Sequence, residues 1–296
     1  MVSSQTGILA PLPAHGRYVS LSLRGDALDG GALRKVLSEL AKRPSDASVV
    51  VGIGRSTVAA LGKDVPGLRE VPHFDGERVP TPSTPSALWL WLRGDNPGTL
   101  LHLDREVMQL LSPAFARDEI IDGFFFGGHD LTGYEDGTEN PALDNAPGIA
   151  LASGSGAGLD GSSYVAVQRW VHSLDEFERY PQDERDNMIG RRLSDNEELE
   201  DAPETSHVKR SAQESFEPDA FMWRRSMPYL SGDQSGLMFV AFGKSFDAFE
   251  AILRRMVGAE DGQVDALYRF SKPVTGSYFW CPPLKDNHLD LSALGF

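Results

Sequence analysis

RYVSLSLR, residues Arg17–Arg24, alternates polar and apolar side chains, the period of a strand with one buried face. Gly31–Lys42 follows, with Leu33, Val36, Leu37 and Leu40 at the spacing of one helical face. The switch between these two periods decides how the rest of the chain reads. Ser48–Ile53 (SVVVGI) is a short β-branched run, which predicts a buried strand. A Pro-rich loop spans Val79 to Pro85, and Ala87–Arg93 (ALWLWLR) predicts another strand. Pro97–Leu111 opens with a proline suited to a helix start and carries Leu101, Val107, Met108 and Leu111. Ile120–Phe126 (IIDGFFF) closes the run as a strand.

The order is β-α-β-β-α-β, the ferredoxin-like arrangement. A looser repeat follows. Ser163–His172 reads as a long strand, and helical stretches are expected over Leu174–Tyr180 and Arg185–Arg192. Ala220–Met227 and Leu237–Phe242 read as strands, Phe246–Met256 as a helix and Ser277–Cys281 as the last strand. The expected architecture is α+β. It has an N-terminal half (1–128), a linker (129–161) and a C-terminal half (162–296). The two ferredoxin-like halves pack their sheets into a barrel-like dimeric α+β fold, with a cavity where sheet and helices separate.

The 296 residues are 41% hydrophobic and 24% charged, a soluble globular balance with enough apolar residues for a sizeable core. The net charge of −15 disfavours phosphate backbones and anionic lipid as partners, so neither nucleic acid nor membrane is expected. Acidic residues concentrate between Asp183 and Glu217, which reads as a solvated face. The single cysteine, Cys281, forms no intramolecular disulfide, and Met1–Gln5 has no signal-peptide character; both fit a cytoplasmic protein.

The linker is rich in Gly, Asn, Asp and Pro, and long irregular segments inside a domain tend to be functional or disordered. Its tail, ASGSGAG (Ala152–Gly158), reads as flexible, whereas GYEDGTENP (Gly133–Pro141) carries specific polar residues. Asp136, with Gly133 and Gly137 nearby, reads alone as an Asp-Gly turn or as a carboxylate on a backbone able to approach a flat ligand. None of the seven histidines forms a paired zinc pattern, and one cysteine excludes thiolate zinc sites. A lone histidine such as His207, in ETSHVKR, suits either a surface or core position or haem iron, which takes four ligands from its porphyrin. In MWRRSMPY, alternation sends Arg224 and Arg225 to opposite faces, so only one can enter a cavity.

Taken together, these segments resemble the dye-decolorising peroxidases. GYEDGTENP matches that family's GxxDG motif, and SSYVAVQRW (162–170), MIGR (188–191), PETSHVKR (203–210), RRSMPY (224–229) and RFSKPVTGSYFW (269–280) follow in family order. The short length and small insertions are most similar to the B-type branch. The resemblance implies haem b (iron protoporphyrin IX) between two ferredoxin-like halves, with His207 as proximal iron ligand and Asp136 and Arg224 as distal catalytic residues. Arg224 rather than Arg225 matches, lying four residues before the proline of MPY. Asp265, in VDALYRF, falls where a family acid bonds the proximal histidine. Gly137, Thr138, Arg191 and Phe239 are implied cofactor contacts. Ser226 stands where some relatives carry asparagine, which puts the contribution of that asparagine in doubt here.

The implied activity is oxidation of dyes and other small aromatic reductants by hydrogen peroxide, through a ferryl intermediate, in a homo-oligomer. A carboxylate can carry the proton that O–O cleavage requires, and an arginine favours the ionised carboxylate. Trp170, Tyr180, Trp223 and Tyr229 are candidate electron relays, although core packing is the favoured reading of each taken alone. Two other readings stand beside this one. A non-catalytic haem-binding or haem-trafficking protein would keep His207 without needing the Asp136–Arg224 pair. A hydrolase or metal enzyme would be built on His129, Asp130 and Asp136.

Overall fold

The computed structural model describes residues 2–25 and 31–296. Its ten principal strands are β1 (His15–Leu23), β2 (Val49–Ile53), β3 (Leu88–Gly94), β4 (Phe115–Phe124), β5 (Ser163–His172), β6 (Trp223–Arg224), β7 (Met227–Ser231), β8 (Gln234–Gly243), β9 (Ser271–Pro273) and β10 (Ser277–Cys281). The helices that matter here are α1 (Gly31–Lys42), α2 (Pro97–Leu111), α3 (Gln182–Ile189), α4 (His207–Ser211) and α5 (Asp247–Met256). The N-terminal strands lie in the order β4-β1-β3-β2, and the C-terminal ones repeat it as β10-β5-β8-β7. Two short antiparallel seams join the units, Gly123 with Tyr229 and Trp280 with Ile53. Together with the long β5–β8 ladder they close eight antiparallel strands into a barrel.

Alternation along each strand gives the barrel two apolar faces. Tyr18, Trp89, Trp91, Phe242 and Phe279 point inward, and Tyr18 stacks between Trp89 and Trp91 at 6.4 and 6.1 Å. Leu88, Leu90 and Leu92 point outward to a layer that includes Leu33, Val36 and Leu37 of α1. The sheet therefore reads as a continuous apolar run, ALWLWLR, because both of its faces are covered. The start of α2 follows from its sequence: Asn96 Oδ1 accepts from the N–H groups of Gly98 and Thr99, and Pro97 occupies the first turn.

Several boundaries differ from expectation. The helical stretch from Leu174 stops at Phe177, and the next begins at Gln182, after Pro181, rather than at Arg185. That helix ends at Ile189 instead of Arg192, because Gly190 adopts a left-handed conformation (φ 95°). The strand expected over Ala220–Met227 is split into β6 and β7. Arg225 N–H donates to Val240 O, but the returning Val240 N–H is taken by the Ser226 hydroxyl at 3.3 Å, interrupting the backbone ladder. The strand expected at Ile120–Phe126 is Phe115–Phe124, and its first residues escape the alternation pattern because ARDE lies on a largely open stretch.

The outer face of β5 and β8 differs from its N-terminal counterpart. Leucines and valines fill the space between sheet and helices in the first unit. In the second, Phe249, Ile252, Leu253 and Met256 of α5 face Leu237 and Phe239 of β8 across an open cavity.

Candidate active site

The cavity encloses about 1000 Å³ free of protein atoms, including its open mouth. Asp136, His207, Arg224, Ser226 and Phe239 all line it, so five residues separated by up to 103 positions in the chain meet at one place. Asp136 and His207 lie deep in the protein, yet their side chains keep accessible surface, because that surface is the cavity wall.

His207 opens α4. Its Nδ1 lies 2.7 Å from Asp265 Oδ2, so the acceptor-only carboxylate requires a proton on Nδ1 and leaves Nε2 as the free ring nitrogen. Asp265 is 1% exposed and held on three sides: Oδ1 accepts Leu267 N–H at 2.8 Å, its own N–H reaches Met256 O, and Ala266 N–H reaches Thr205 O. Burial would lower the His207 pKa, but the adjacent Asp265 carboxylate outweighs it and raises it.

Asp136 sits on a tight turn of the linker. Asp130 N–H donates to Tyr134 O, Gly133 N–H to Asp130 O and Asp136 N–H to Gly128 O. Gly133 (φ 90°) and Gly137 (φ 85°) supply left-handed backbone that a side chain would resist. Burial lifts the Asp136 carboxyl above its ordinary value; Arg224 opposes the shift and the Asp130 carboxylate adds to it. The Arg224 guanidinium is lowered by burial, against the pull of Asp136 and Glu139. Asn140 fastens the linker to this arginine: its side chain accepts Arg224 N–H at 3.0 Å and donates to Arg224 O at 3.1 Å.

Alternation separates the arginine pair. Arg224 enters the cavity, while Arg225 donates to Ala10 O at 3.0 Å and lies 4.0 Å over the Trp223 ring. Trp223 and Tyr229 belong to the barrel interior, Tyr180 packs under Arg269, and Trp170 lines the cavity.

Gly137, Thr138 and Arg191 are not among the residues forming the cavity wall. Arg191 is taken up by Glu139, Glu198 and the carbonyl of Asn196, and Thr138 accepts from Asn196 Nδ2 at 2.9 Å. Asp130, Gln168 and His172 line the wall, although strand periodicity alone gave no reason to single out Gln168 or His172. Asp130 pairs with His172 rather than His129, and among the described residues no group of His, Cys, Asp and Glu could hold a bare metal ion.

These residues fit a haem. A flat tetrapyrrole needs apolar walls, one free imidazole nitrogen and polar groups for its carboxylates and axial oxygen. α5 and β8 supply the walls and His207 the nitrogen. Gln168 Oε1 accepts the Trp170 indole N–H at 3.1 Å, which turns its amide nitrogen the other way. That nitrogen and Arg224 Nε are buried without a hydrogen-bond partner among the described residues, on two polar side chains that line the cavity.

A double ferredoxin-like barrel with this site defines a haem peroxidase. The family profile "Dyp-type peroxidase, C-terminal" matches residues 128–286, more than half of the chain. The chain belongs to the Dyp-type peroxidase family. A dye-decolorizing peroxidase of Mycobacterium tuberculosis is 29% identical over 294 residues, covering 94% of this chain and 88% of that protein. A putative Dyp-type peroxidase of Shewanella oneidensis superposes with a TM-score of 0.86 at 29% identity, covering 99% of this chain and 98% of that one. A DypB variant of Rhodococcus jostii RHA1, solved in complex with heme, gives a TM-score of 0.80 at 27% identity, covering 94% and 95%.

Proposed function

We propose that His207 ligates the iron of haem b through Nε2 and that Asp136 and Arg224 handle hydrogen peroxide in the same cavity. The observation that carries this reading is the convergence on one cavity of an imidazole with a carboxylate behind it, a second carboxyl and an otherwise unpaired guanidinium nitrogen. Bound haem supplies the redox-active iron and the oxidising equivalents taken from peroxide. Asp136, when ionised, takes the proton from one peroxide oxygen and returns it to the departing one. Arg224 favours the carboxylate and offsets charge as the O–O bond breaks. Asp265 makes the His207 imidazole more electron-donating by accepting from Nδ1. Phe239 excludes water from the cavity, and Ser226 contributes at most one hydroxyl, whose oxygen already accepts Val240 N–H.

The reductants are dyes and other small aromatic molecules. The half 162–296 carries the haem ligand and the linker 129–161 the peroxide-handling carboxylate. No helix among the described residues is long and apolar enough to cross a membrane. We assign the protein to the cytoplasm, as a homo-oligomer. The non-catalytic haem carrier is disfavoured, since such a protein has no need of the Asp136–Arg224 pair.

Stopped-flow spectroscopy of the haem-loaded protein with peroxide tests the reading. Rapid peroxide-dependent change of the Soret band, followed by turnover of a dye, is expected. A protein that binds haem but leaves peroxide unreacted would sink it.

A further inference from the structure

One hydrogen-bonded chain in the cavity wall has no part in the roles assigned above. Ser271 Oγ of β9 lies 2.6 Å from His172 Nδ1, and His172 Nε2 lies 3.1 Å from Asp130 Oδ1. A carboxylate only accepts, so Nε2 carries the proton given to Asp130, and in the neutral ring Nδ1 accepts from the serine hydroxyl. The second oxygen, Asp130 Oδ2, accepts both the N–H of Thr132 at 3.0 Å and its hydroxyl at 2.7 Å. The backbone of Asp130 closes the turn with Gly133 and Tyr134, two residues before Asp136. The chain thus runs from the end strand β9, through a histidine of the barrel strand β5 whose side chain is only 4% exposed, into the turn that carries Asp136.

We propose that His172 is a positioning residue for Asp136: with Ser271 and Asp130 it fastens the peroxide-handling turn to the barrel and holds a fixed negative charge beside it. This inference rests on the assignment of Asp136 as the carboxylate that moves the peroxide proton. Asp136 faces Arg224 from β6, His207 from α4 and Asp130 from its own loop. Asp130 faces His172 from β5, and His172 faces Asp130 and Ser271, with the Phe270 ring 6.2 Å away. Burial alone would raise the Asp130 carboxyl, but donation from His172 and Thr132 holds it below the ordinary range. Asp130 therefore stays anionic while Asp136 titrates, and its charge makes Asp136 the harder of the two to ionise.

The test combines hydrogen exchange of the haem-loaded full chain with the pH dependence of its peroxide reaction. His172→Phe removes both ring hydrogen bonds. Faster amide exchange across Tyr134–Asp136 and a loss of about 10- to 100-fold in the peroxide rate are expected, with haem content retained. His172→Gln can still donate to Asp130 and accept from Ser271, and it restores most of both. Asp130→Asn removes the neighbouring charge and moves the acid limb of the profile to lower pH, which a purely structural role would leave in place. Should His172→Phe fail to fold, Ser271→Ala and Asp130→Asn carry the same measurements. Unchanged exchange in the His172 or Ser271 variant, or an unmoved acid limb in Asp130→Asn, overturns the proposal. Either result can occur while Asp136→Ala remains disabled, so loss of the anchor is distinguishable from loss of the role of Asp136 itself.

Discussion

Asp265 Oδ2 stands 2.7 Å from His207 Nδ1, and the carboxylate that holds the imidazole is itself held by the Leu267 N–H. The ring nitrogen left over, Nε2, belongs to a side chain that lines the cavity. Replacing Asp265 with Asn keeps a hydrogen-bond acceptor but removes the charge. Haem should be retained, the ferrous iron–histidine stretch should fall in frequency, the reduction potential should rise, and the peroxide reaction should slow by about 10- to 100-fold. Resonance Raman and potentiometry read the first effects and stopped-flow the last. His207→Ala should lose most haem; a normal five-coordinate ferric spectrum in that variant would remove His207 from the ligand role.

The Asp136 carboxyl lies above its ordinary pKa because of burial, with Arg224 pulling it back and Asp130 pushing it further. The ionised form is the one that can take a proton, so the peroxide reaction should rise with pH across this elevated value and then level off. Arg224→Leu removes the opposing charge, and the acid limb should move to higher pH. Asp136→Ala should abolish the limb and slow the reaction by about 10²- to 10⁴-fold. Wild-type rates in both variants across the pH range would show that neither residue handles peroxide.

What the sequence reveals of this site depends on face and context. The duplicated β-α-β-β-α-β order is visible because α1, α2 and α5 carry strong helical periodicity, and ALWLWLR announces a strand covered on both sides. Arg224 is separable from Arg225 because a strand sends neighbours to opposite faces. His207 and Asp136, by contrast, are ordinary as isolated residues and gain meaning only within the ordered set of motifs. Gln168 and His172 escape notice for a physical reason: polar side chains at alternate strand positions read as a solvent face. Here that face looks onto a cavity between sheet and helix, which only the packing of α5 reveals. Asn140 sits inside the quoted GYEDGTENP, but its clamp on Arg224 spans 84 residues and leaves no local signal.

The two neighbouring arginines should behave as opposites. Arg225 lies outside the cavity wall, bonded to Ala10 O beside Arg93, and burial pulls its guanidinium pKa down to about 10. Arg225→Met should leave the peroxide rate within about twofold of wild type, because it removes no group that touches the reacting atoms. Arg224→Met should lose about tenfold or more by the same measurement. Equal losses would mean that the register of β6 assigns the wrong residue to the cavity.

The barrel interior should govern stability without governing the peroxide chemistry. Trp89 is fully buried, stacked against Tyr18 at 6.4 Å and Phe279 at 5.9 Å, and it points away from the helix-covered face of β3. Trp89→Ala leaves a large hole in a closed barrel whose strands have little freedom to collapse inward. The cost should be about 3–5 kcal/mol, which for a chain of this size lowers the thermal midpoint by roughly 5–15 °C. Haem content and the peroxide rate at 25 °C should change little in the fraction that folds, because the cavity lies on the outer face of β5 and β8. Thermal unfolding followed by both far-ultraviolet circular dichroism and the Soret band measures this. A midpoint unmoved by the substitution would mean that the indole is not a packing element, and a selective loss of haem without unfolding would mean that the interior and the cavity are mechanically one unit.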